Sequence, residues 1–317
     1  MIEKYIVAID LGGTRFRVAL VDSTGRLSYR RSYPTRAADG LEAIVTRLVQ
    51  AAQEAMAQYG ADRILAAGFA APGPLDPRTG VILTPPNLPG WREVPLKALL
   101  EERLRIPVFI GNDANLAALG EQRFGAGRGL EDLIYLTVST GIGAGVIADG
   151  RLLLGRDGLA GEAGHMSLAE GPRCNCGNYG CLEILSSGTA IARIAGERME
   201  AGEKSSIARL AGGETTAEAV EAAARAGDIL AQSVMATAAR YLGIGVVNLV
   251  HLFNPQAVII GGGVSQAGDL IFGPVRRIVA ERAMPDFRKT EIIPAALGDD
   301  VGLYGAAALT LAETGLR

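Results

Sequence analysis

The sequence lacks several features that define particular classes of protein. It has no basic excess, because 31 Lys and Arg stand against 34 Asp and Glu and the net charge is −3. No broad face can therefore neutralise the phosphates of nucleic acid. No apolar run reaches the ~18–20 residues of a membrane span, and the longest candidate, residues 242–253, is interrupted by Gly243 and Gly245. We expect neither a nucleic-acid partner nor a membrane.

Two further absences concern targeting and nucleotide motifs. The apolar stretch at residues 5–9 runs directly into Asp10, which is too short for the apolar region of a signal peptide, so we expect a cytoplasmic protein. No Lys in the chain follows a Gly, which excludes a P-loop. Neither the Gly-Ile-Gly at 141–143 nor the glycines at 261–263 continue into the G-x-G-x-x-G fingerprint of dinucleotide-binding proteins.

What is present predicts an α/β fold. A length of 317 residues favours two lobes over one compact core. Apolar runs bounded by turn residues alternate with segments of three- and four-residue apolar spacing, and this order is typical of α/β proteins. The predicted strands include residues 64–70, 108–111 and 257–260, and the predicted helices are 37–59, 96–105, 114–124, 186–200, 215–226, 228–250, 268–283 and 300–314.

Two segments share a pattern of strand, glycine turn and strand. The first covers residues 4–22 with its turn at 10–14, and the second covers residues 132–154 with its turn at 139–143. Glycines let backbone N–H groups approach an anion, and hydroxyl side chains add donors. Either turn alone also fits an ordinary hairpin. Two such turns from facing lobes can grip one polyphosphate, so we interpret them as duplicated β-hairpin phosphate loops.

Asp113 follows a predicted strand and precedes a predicted helix, within Gly-Asn-Asp-Ala-Asn at 111–115. An Asp at this place is often the N-cap of the helix. It is also where open α/β sheets bind their ligands, at the carboxyl ends of strands. The local pattern leaves both roles open.

All three cysteines of the chain lie close together, at positions 174, 176 and 181, with His165 nine residues before the first. A disulfide would leave one thiol over, whereas three thiolates and one imidazole form a closed tetrahedral set for structural Zn²⁺. Glu162 and Glu183 flank this set. Carboxylates held rigidly by a metal-binding loop can accept hydrogen bonds from a polyol, so the predicted ligand is a sugar.

Together these motifs resemble the ROK family of repressors and sugar kinases over essentially the whole chain, and most of all its bacterial ATP-dependent glucokinases. The motifs are DLGGT at 10–14, NDAN at 112–115, TGIG at 140–143, GEAGH at 161–165 and CNCGNYGCLE at 174–183. The resemblance implies a two-lobed actin-like, hexokinase-like ATPase fold with a zinc knuckle. Residues 1–112, completed by a C-terminal helix at 300–317, would form the small lobe, and residues 113–299 the large lobe with the zinc-binding loop.

The resemblance also implies ATP-dependent phosphorylation of the 6-hydroxyl of a hexose, glucose in the first place, with Mg²⁺ and structural Zn²⁺ as metals and a homodimer or homotetramer as the assembly. Asp113 would be the general base. The other sugar-binding residues would be Asn87, Asn112, Glu162, His165 and Glu183. The zinc ligands would be His165, Cys174, Cys176 and Cys181. The nucleotide and its Mg²⁺ would be held by Asp10, Gly12, Gly13, Thr14, Arg15, Ser139, Thr140, Gly141, Gly262 and Gly263.

The resemblance leaves two alternative functions, a sugar-sensing regulator and a kinase for a hexose other than glucose. The repressors of the family carry a DNA-binding winged helix before the first phosphate motif, and here that motif begins at residue 10. We therefore expect a kinase rather than a sugar-sensing regulator. Mannose, fructose, allose or an N-acetylhexosamine are alternative substrates, because shared hydroxyl-binding residues do not select one epimer.

Overall fold

The computed structural model describes residues 4–316. The first three residues of the predicted small lobe and residue 317 of its predicted helix lie outside this range. The strands are β1 Tyr5–Leu11, β2 Arg15–Asp22, β3 Leu27–Pro34, β4 Ile64–Ala71, β5 Leu75–Asp76, β6 Val81–Ile82, β7 Val108–Asn112, β8 Leu133–Val138, β9 Ile142–Ala148, β10 Arg151–Leu152, β11 Ala257–Gly261 and β12 Glu291–Pro294. The helices are α1 Leu41–Met56, α2 Leu96–Leu104, α3 Asp113–Phe124, α4 Leu182–Ser186, α5 Gly188–Glu200, α6 Ile207–Ala211, α7 Ala217–Arg225, α8 Ile229–Phe253, α9 Asp269–Arg282 and α10 Val301–Glu313.

Two five-stranded sheets repeat one topology. The first has the order β3-β2-β1-β4-β7 and the second the order β10-β9-β8-β11-β12. In each sheet the first three strands are antiparallel and the last two are added in parallel. Each predicted glycine turn joins the two central antiparallel strands of its sheet. The predicted lobe boundary falls between β7 and α3, and the division into lobes stays a prediction.

The first sheet is covered on both faces, which explains its almost continuous apolar strands. Alternate residues of β1 point to opposite faces. Val7 and Ile9 pack in a core with α1 and α2, whereas Ile6 and Ala8 pack in a separate core with α10. In the second sheet, α8, α9 and their neighbours build the largest core on the face opposite α3.

Helices α3 and α10 pack together between the two sheets. Their close approach depends on small residues, because a Cβ atom at Gly305 would lie 2.1 Å from the Leu116 carbonyl oxygen and one at Gly120 would lie 2.9 Å from the Gly305 nitrogen. α3 also packs against β8 and β9 of the second sheet, while α10 packs against β1 and β4 of the first. The first residues of α3 therefore lie where the two sheets meet.

α8 matches the helix predicted at 228–250 and contains the apolar stretch at 242–253. Gly243 and Gly245 do not interrupt it, because they admit the side chains of Ile278 and Leu182, which a Cβ atom would approach to 2.9 and 2.8 Å. By length and composition α8 can cross a membrane, since its apolar residues give a mean hydropathy of 1.4. However, 61% of its most apolar 18-residue stretch is buried inside the protein. Buried core helices of water-soluble proteins share this length and composition, so α8 is weak evidence for a membrane span.

The elements that the sequence did not predict are short or at sheet edges. β3 and β12 are edge strands, and the two-residue strands β5 and β6 pair with each other between β4 and α2. The helix predicted at 37–59 begins at Leu41, because Gly40 has a φ of +85° and residues 37–39 form a 3₁₀ turn.

Candidate functional site

Asp113 is the first residue of α3, and the cap of that helix is its neighbour. The Asn112 side chain accepts hydrogen bonds from the backbone N–H groups of Ala114 and Asn115, at 3.0 and 3.3 Å. This interaction satisfies donors that a helix start leaves free. Of the two roles that the sequence left open for Asp113, the N-cap thus belongs to Asn112. The Asp113 carboxylate is open to the space between the sheets.

Two cavities meet at Asp113. One, of ≈ 870 Å³, is here called the cleft cavity and contains Asp10, Arg17 and the glycines at 261–263 in its lining. The other, of ≈ 580 Å³, is here called the inner cavity and reaches from Pro74 to the loop at 158–165. Asp113, Ala114, Thr137 and Ser139 line both. A group bound in one cavity can therefore meet a group bound in the other beside the Asp113 carboxylate.

The electrostatic environment of Asp113 disfavours its charged form. Its carboxylate opens to the cavities, but the protein crowds it on its other sides, and this desolvation raises the pKa of the carboxyl above its ordinary value. The nearby Glu162 carboxylate raises it further, while the Ala114 N–H, which donates to Asp113 Oδ1 at 2.8 Å, lowers it. As a result, the Asp113 carboxylate has a higher affinity for a proton than a fully hydrated carboxylate.

The inner cavity collects most of the predicted sugar-binding residues. Asn112, Asp113, Glu162, His165 and Glu183 all line it. Asn87 does not contribute to its lining; it is exposed and packs against the first glycine turn, where a Cβ atom at Gly13 would lie 2.9 Å from Asn87 Cβ. Three carboxylates, an amide and an imidazole in one polar cavity suit a ligand rich in hydroxyl groups.

The cysteines and His165 form a compact cluster of metal-ligand atoms. One ligand atom from each of His165, Cys174, Cys176 and Cys181 lies within 4.8 Å of every other. The distance from Cys174 Sγ to His165 Nδ1 is 3.7 Å, as is the distance from Cys176 Sγ to Cys181 Sγ. A tetrahedral ion with metal–sulfur bonds of ~2.3 Å separates its sulfur ligands by about 3.8 Å. The cluster can therefore hold a metal ion, and His165 Nε2 stays free for another partner.

Glu183 connects this cluster to the second glycine turn. It lies two residues after Cys181, in the first turn of α4, and its Oε2 accepts a hydrogen bond from the Ile142 N–H at 2.8 Å. Gly141 makes this contact possible, since a Cβ atom there would lie 2.5 Å from Glu183 Oε2. The loop of the metal cluster and the turn at 139–142 are thus held in one arrangement.

The residues predicted for nucleotide binding divide into three groups. Asp10, Ser139, Gly262 and Gly263 line the cleft cavity, while Thr140 and Gly141 line the inner cavity. Gly262 needs to be glycine, because its φ is +86° and a Cβ atom would lie 2.5 Å from the Val138 carbonyl oxygen. The turn residues Gly12, Gly13, Thr14 and Arg15 line neither cavity, and Thr14 and Arg15 are exposed.

Arg17 is a residue of the cleft cavity that the sequence reasoning missed. Its guanidinium lies 3.3 Å from Asp10 Oδ2 and also donates to the Asp299 carbonyl oxygen. The available signal was a pair of arginines, Arg15 and Arg17, in an otherwise buried strand. It did not reveal that the second faces the cleft.

The surroundings of Asp10 raise its pKa to about 6, mainly by desolvation, against the lowering effect of Arg17. The carboxylates of Asp113 and Asp300 add to the rise. A nearby cation stabilises the charged form of a partly buried carboxylate. Asp10 therefore suits a position beside a metal ion bound to oxygen ligands.

We expect Asp10→Asn to stabilise the ligand-free protein at neutral pH. Folding raises this pKa from 3.8 to about 6, so the penalty for the charged group is absent in acid and grows as the pH rises through both values. Since 24% of the side chain is exposed, solvent screens part of it, and we expect a gain of about 1–2 kcal/mol near pH 8. Denaturant unfolding at about pH 4.5 and pH 8, with chelator present, measures this gain; an equal gain at both, or the same effect in the control Asp299→Asn, contradicts it.

The repeated sheets, the cleft between them and the polar cavities that meet at one aspartate define an α/β protein of the ROK sugar kinase fold. The ROK hexokinase from Thermus thermophilus superposes with a TM-score of 0.84 at 38% identity, over 98% of this chain and 99% of that one. A ROK family glucokinase from Streptomyces griseus, solved in complex with glucose and AMPPNP, superposes with a TM-score of 0.82 at 35% identity, over 98% and 100% of the two chains.

The chain belongs to the ROK family, which it matches over residues 6–313. The glucokinase of Thermotoga maritima is 40% identical over 308 residues, which cover 96% of each chain. The family predicted from the sequence is therefore confirmed, and the match leaves no large part of either chain unpaired.

Proposed function

We propose that this protein is a hexose kinase that transfers the terminal phosphoryl group of ATP to the 6-hydroxyl of glucose. The observation that carries the proposal is the position of Asp113, which lines both the inner and the cleft cavity. A sugar in the first and a nucleotide in the second would meet at this carboxylate. The glucose and the ATP analogue held by the Streptomyces griseus relative support this choice of ligands.

The sugar would be held in the inner cavity by carboxylate, amide and imidazole groups. Glu162 and Glu183 accept hydrogen bonds from hydroxyls, Asn112 can both donate and accept, and His165 would use Nε2 for a hydroxyl while Nδ1 faces the metal cluster. Asn87, which packs on the first glycine turn, would reach the sugar only if that turn and the inner cavity came closer. Closure of the two lobes around the sugar would bring this about.

The nucleotide would be held in the cleft cavity, with its phosphates between the two glycine turns. Gly12, Gly13, Thr14 and Arg15 would act from the first sheet and Ser139, Thr140 and Gly141 from the second, while Gly262 and Gly263 would lie against the nucleoside. Backbone N–H groups in such turns bind anions. Asp10 would hold Mg²⁺, an ion that neutralises phosphate charge during transfer.

The metal cluster would hold Zn²⁺ in a structural site. Its four ligands would surround the ion and leave no position for substrate, and the distances between the donor atoms are compatible with a tetrahedral ion. The metal loop carries His165 and precedes Glu183, so this site would fix two sugar-binding side chains without taking part in the chemistry.

Asp113 would act as the general base. Its carboxylate would take the proton of the sugar 6-hydroxyl as that oxygen attacks the terminal phosphorus, and its raised pKa suits it to accept that proton. The remaining catalysis would come from alignment, which supplies roughly 7–11 kcal/mol in well-oriented reactions. Lobe closure around the sugar would complete the site and exclude water, so ATP hydrolysis would stay low while no sugar is bound.

We expect the purified protein to phosphorylate glucose with a higher kcat/KM than mannose, fructose, allose or N-acetylglucosamine. An ATP-coupled assay across these hexoses measures this directly, with ADP release in the absence of sugar as the background. A higher kcat/KM for another hexose would reassign the substrate. Sugar binding without turnover of any hexose would indicate a regulator and defeat the proposed activity.

Location and assembly follow the same proposal. The glucokinase relatives favour a cytoplasmic enzyme. A homodimer or homotetramer stays a prediction, which light scattering of the purified protein tests.

A further inference from the structure

Glu121 is a carboxylate buried in the middle of the protein, with 0% of the residue exposed. It lies in α3, eight residues after Asp113, and Ala117 stands halfway between them. Residues four apart lie on the same side of a helix. Asp113 and Ala117 both line the cleft cavity. Glu121 therefore lies on the same side of α3 as the proposed base, one turn beyond Ala117.

The Glu121 carboxylate is bound by backbone N–H groups. Oε1 accepts from Ala296 and Leu297, each at 2.9 Å, and Oε2 accepts from Ala126 at 2.7 Å. None of the ion pairs found among residues 4–316 includes Glu121. A buried carboxylate without a cation is retained only where such donors compensate for its lost hydration.

The backbone that Glu121 binds is one wall of the cleft cavity. Pro294, Ala295, Gly298 and Asp299 line that cavity, and Ala296 and Leu297 lie between them. This wall segment, residues 294–299, connects the edge strand β12 to α10. Between the end of β12 and the 3₁₀ turn at 298–300, individual hydrogen bonds hold this wall: the Ala295 N–H donates to the Ile260 carbonyl oxygen, and the next two N–H groups donate to Glu121.

Tyr135 gives independent evidence that Glu121 stands behind the cavity. This residue lines the cleft cavity, and its side chain approaches Gly261, the residue before Gly262, since a Cβ atom at Gly261 would lie 2.5 Å from the tyrosine oxygen. Burial raises the pKa of Tyr135, and the Glu121 carboxylate raises it further.

We propose that Glu121 is a positioning residue for the nucleotide, which holds the wall segment 294–299 at a fixed place relative to Asp113 through three backbone N–H groups. The inference rests on the proposed kinase function. It assigns Glu121 no contact with substrate; its effect on ATP is transmitted by the wall.

The test compares Glu121→Gln with the wild type. The amide places an NH₂ group where an oxygen now faces backbone N–H donors, so the wall loses part of its attachment. We expect the KM for ATP to rise about 10-fold or more and the Kd for ADP to rise in parallel, with the KM for glucose within about twofold of the wild-type value.

The matched control is Thr310→Val, which removes a buried hydroxyl that donates to the Ala306 carbonyl oxygen at 2.9 Å in α10. It is expected to lower the thermal midpoint without separating the two KM values. An unchanged KM for ATP in folded Glu121→Gln protein, or an equal rise of both KM values, overturns the inference.

A second variant acts from the wall side. Leu297→Pro removes the Leu297 N–H that donates to Glu121 Oε1, at a residue whose φ of −87° lies near the range of proline. We expect a smaller rise in the KM for ATP, and a double variant whose effect is less than the product of the single ones. If Glu121→Gln does not fold, the Leu297→Pro variant alone tests the inference, and an unchanged KM for ATP in that variant overturns it. Failure of the wild type to phosphorylate any hexose defeats the proposed function instead.

Discussion

Asp113→Asn is expected to lower kcat for glucose phosphorylation by about 10²–10⁴-fold, the usual contribution of a general base. Asparagine has the same shape and keeps the oxygen that the Ala114 N–H binds, but it cannot accept the proton of the sugar 6-hydroxyl. Sugar and nucleotide should still bind, so their Kd values should stay within about threefold of the wild type. Steady-state kinetics and calorimetry measure the two parts separately.

Asp228→Asn is the matched control for this variant. Asp228 also stands at a helix start, where it accepts from the Ala231 N–H at 2.9 Å, but it lines neither the cleft nor the inner cavity. The same isosteric change there should lower stability and leave kcat close to normal. A kcat near the wild-type value in Asp113→Asn rules Asp113 out as the base.

The pH dependence of the wild-type enzyme provides a second check on the same residue. The base works only when deprotonated, so activity falls as the pH drops through its pKa. Desolvation and Glu162 raise that pKa above its ordinary 3.8. The acidic limb of the kcat profile, measured at saturating ATP and Mg²⁺ so that the bound cation keeps Asp10 charged, is therefore expected above that value, and it should be missing from the residual activity of Asp113→Asn.

Local patterns predicted the parts of the fold whose cause is local. The hairpins of β1–β2 and β8–β9 follow from apolar runs around glycine turns, and α8 follows from its apolar spacing. β3 was missed because its exposed arginines hide the edge strand, and β12 because four residues carry too little pattern. The mutual orientation of the sheets is decided by contacts such as Gly120 with Gly305, between residues distant in the chain.

In the candidate site, too, the residues that are close in sequence could be predicted, and the contacts between distant residues could not. Asn112 and Asp113 are adjacent, and His165 and the cysteines lie within 17 residues, so spacing alone was informative. Arg17 reaches the Asp299 carbonyl and Glu121 reaches Ala296, across 282 and 175 positions of sequence. No local pattern contains such pairs. Asn87 shows the converse, since the family resemblance implied a sugar-binding role but the structure does not place its side chain in the inner cavity.

Loss of the metal is expected to weaken sugar binding strongly. We expect about one Zn²⁺ per chain in purified protein, and Cys181→Ser should remove most of it, because a hydroxyl is a poor substitute for a thiolate ligand. Cys181 is buried and directly precedes α4. Without the ion, α4 would lose the anchor that aims Glu183 at the inner cavity and at the Ile142 N–H.

The predicted consequence of Cys181→Ser is a rise of about 10–100-fold in the KM for glucose, the range found when groups that orient a site are removed. Asn178→Ala is the control, since Asn178 lies in the same loop and its side chain binds only the Tyr179 N–H. Elemental analysis and sugar kinetics on both variants measure the effect. Because Glu183 binds the second glycine turn as well as lining the inner cavity, the KM for ATP should also rise, by a smaller factor. A metal-free protein with normal kinetics would show that the four ligand atoms hold the loop without an ion, and it would separate the sugar site from any metal.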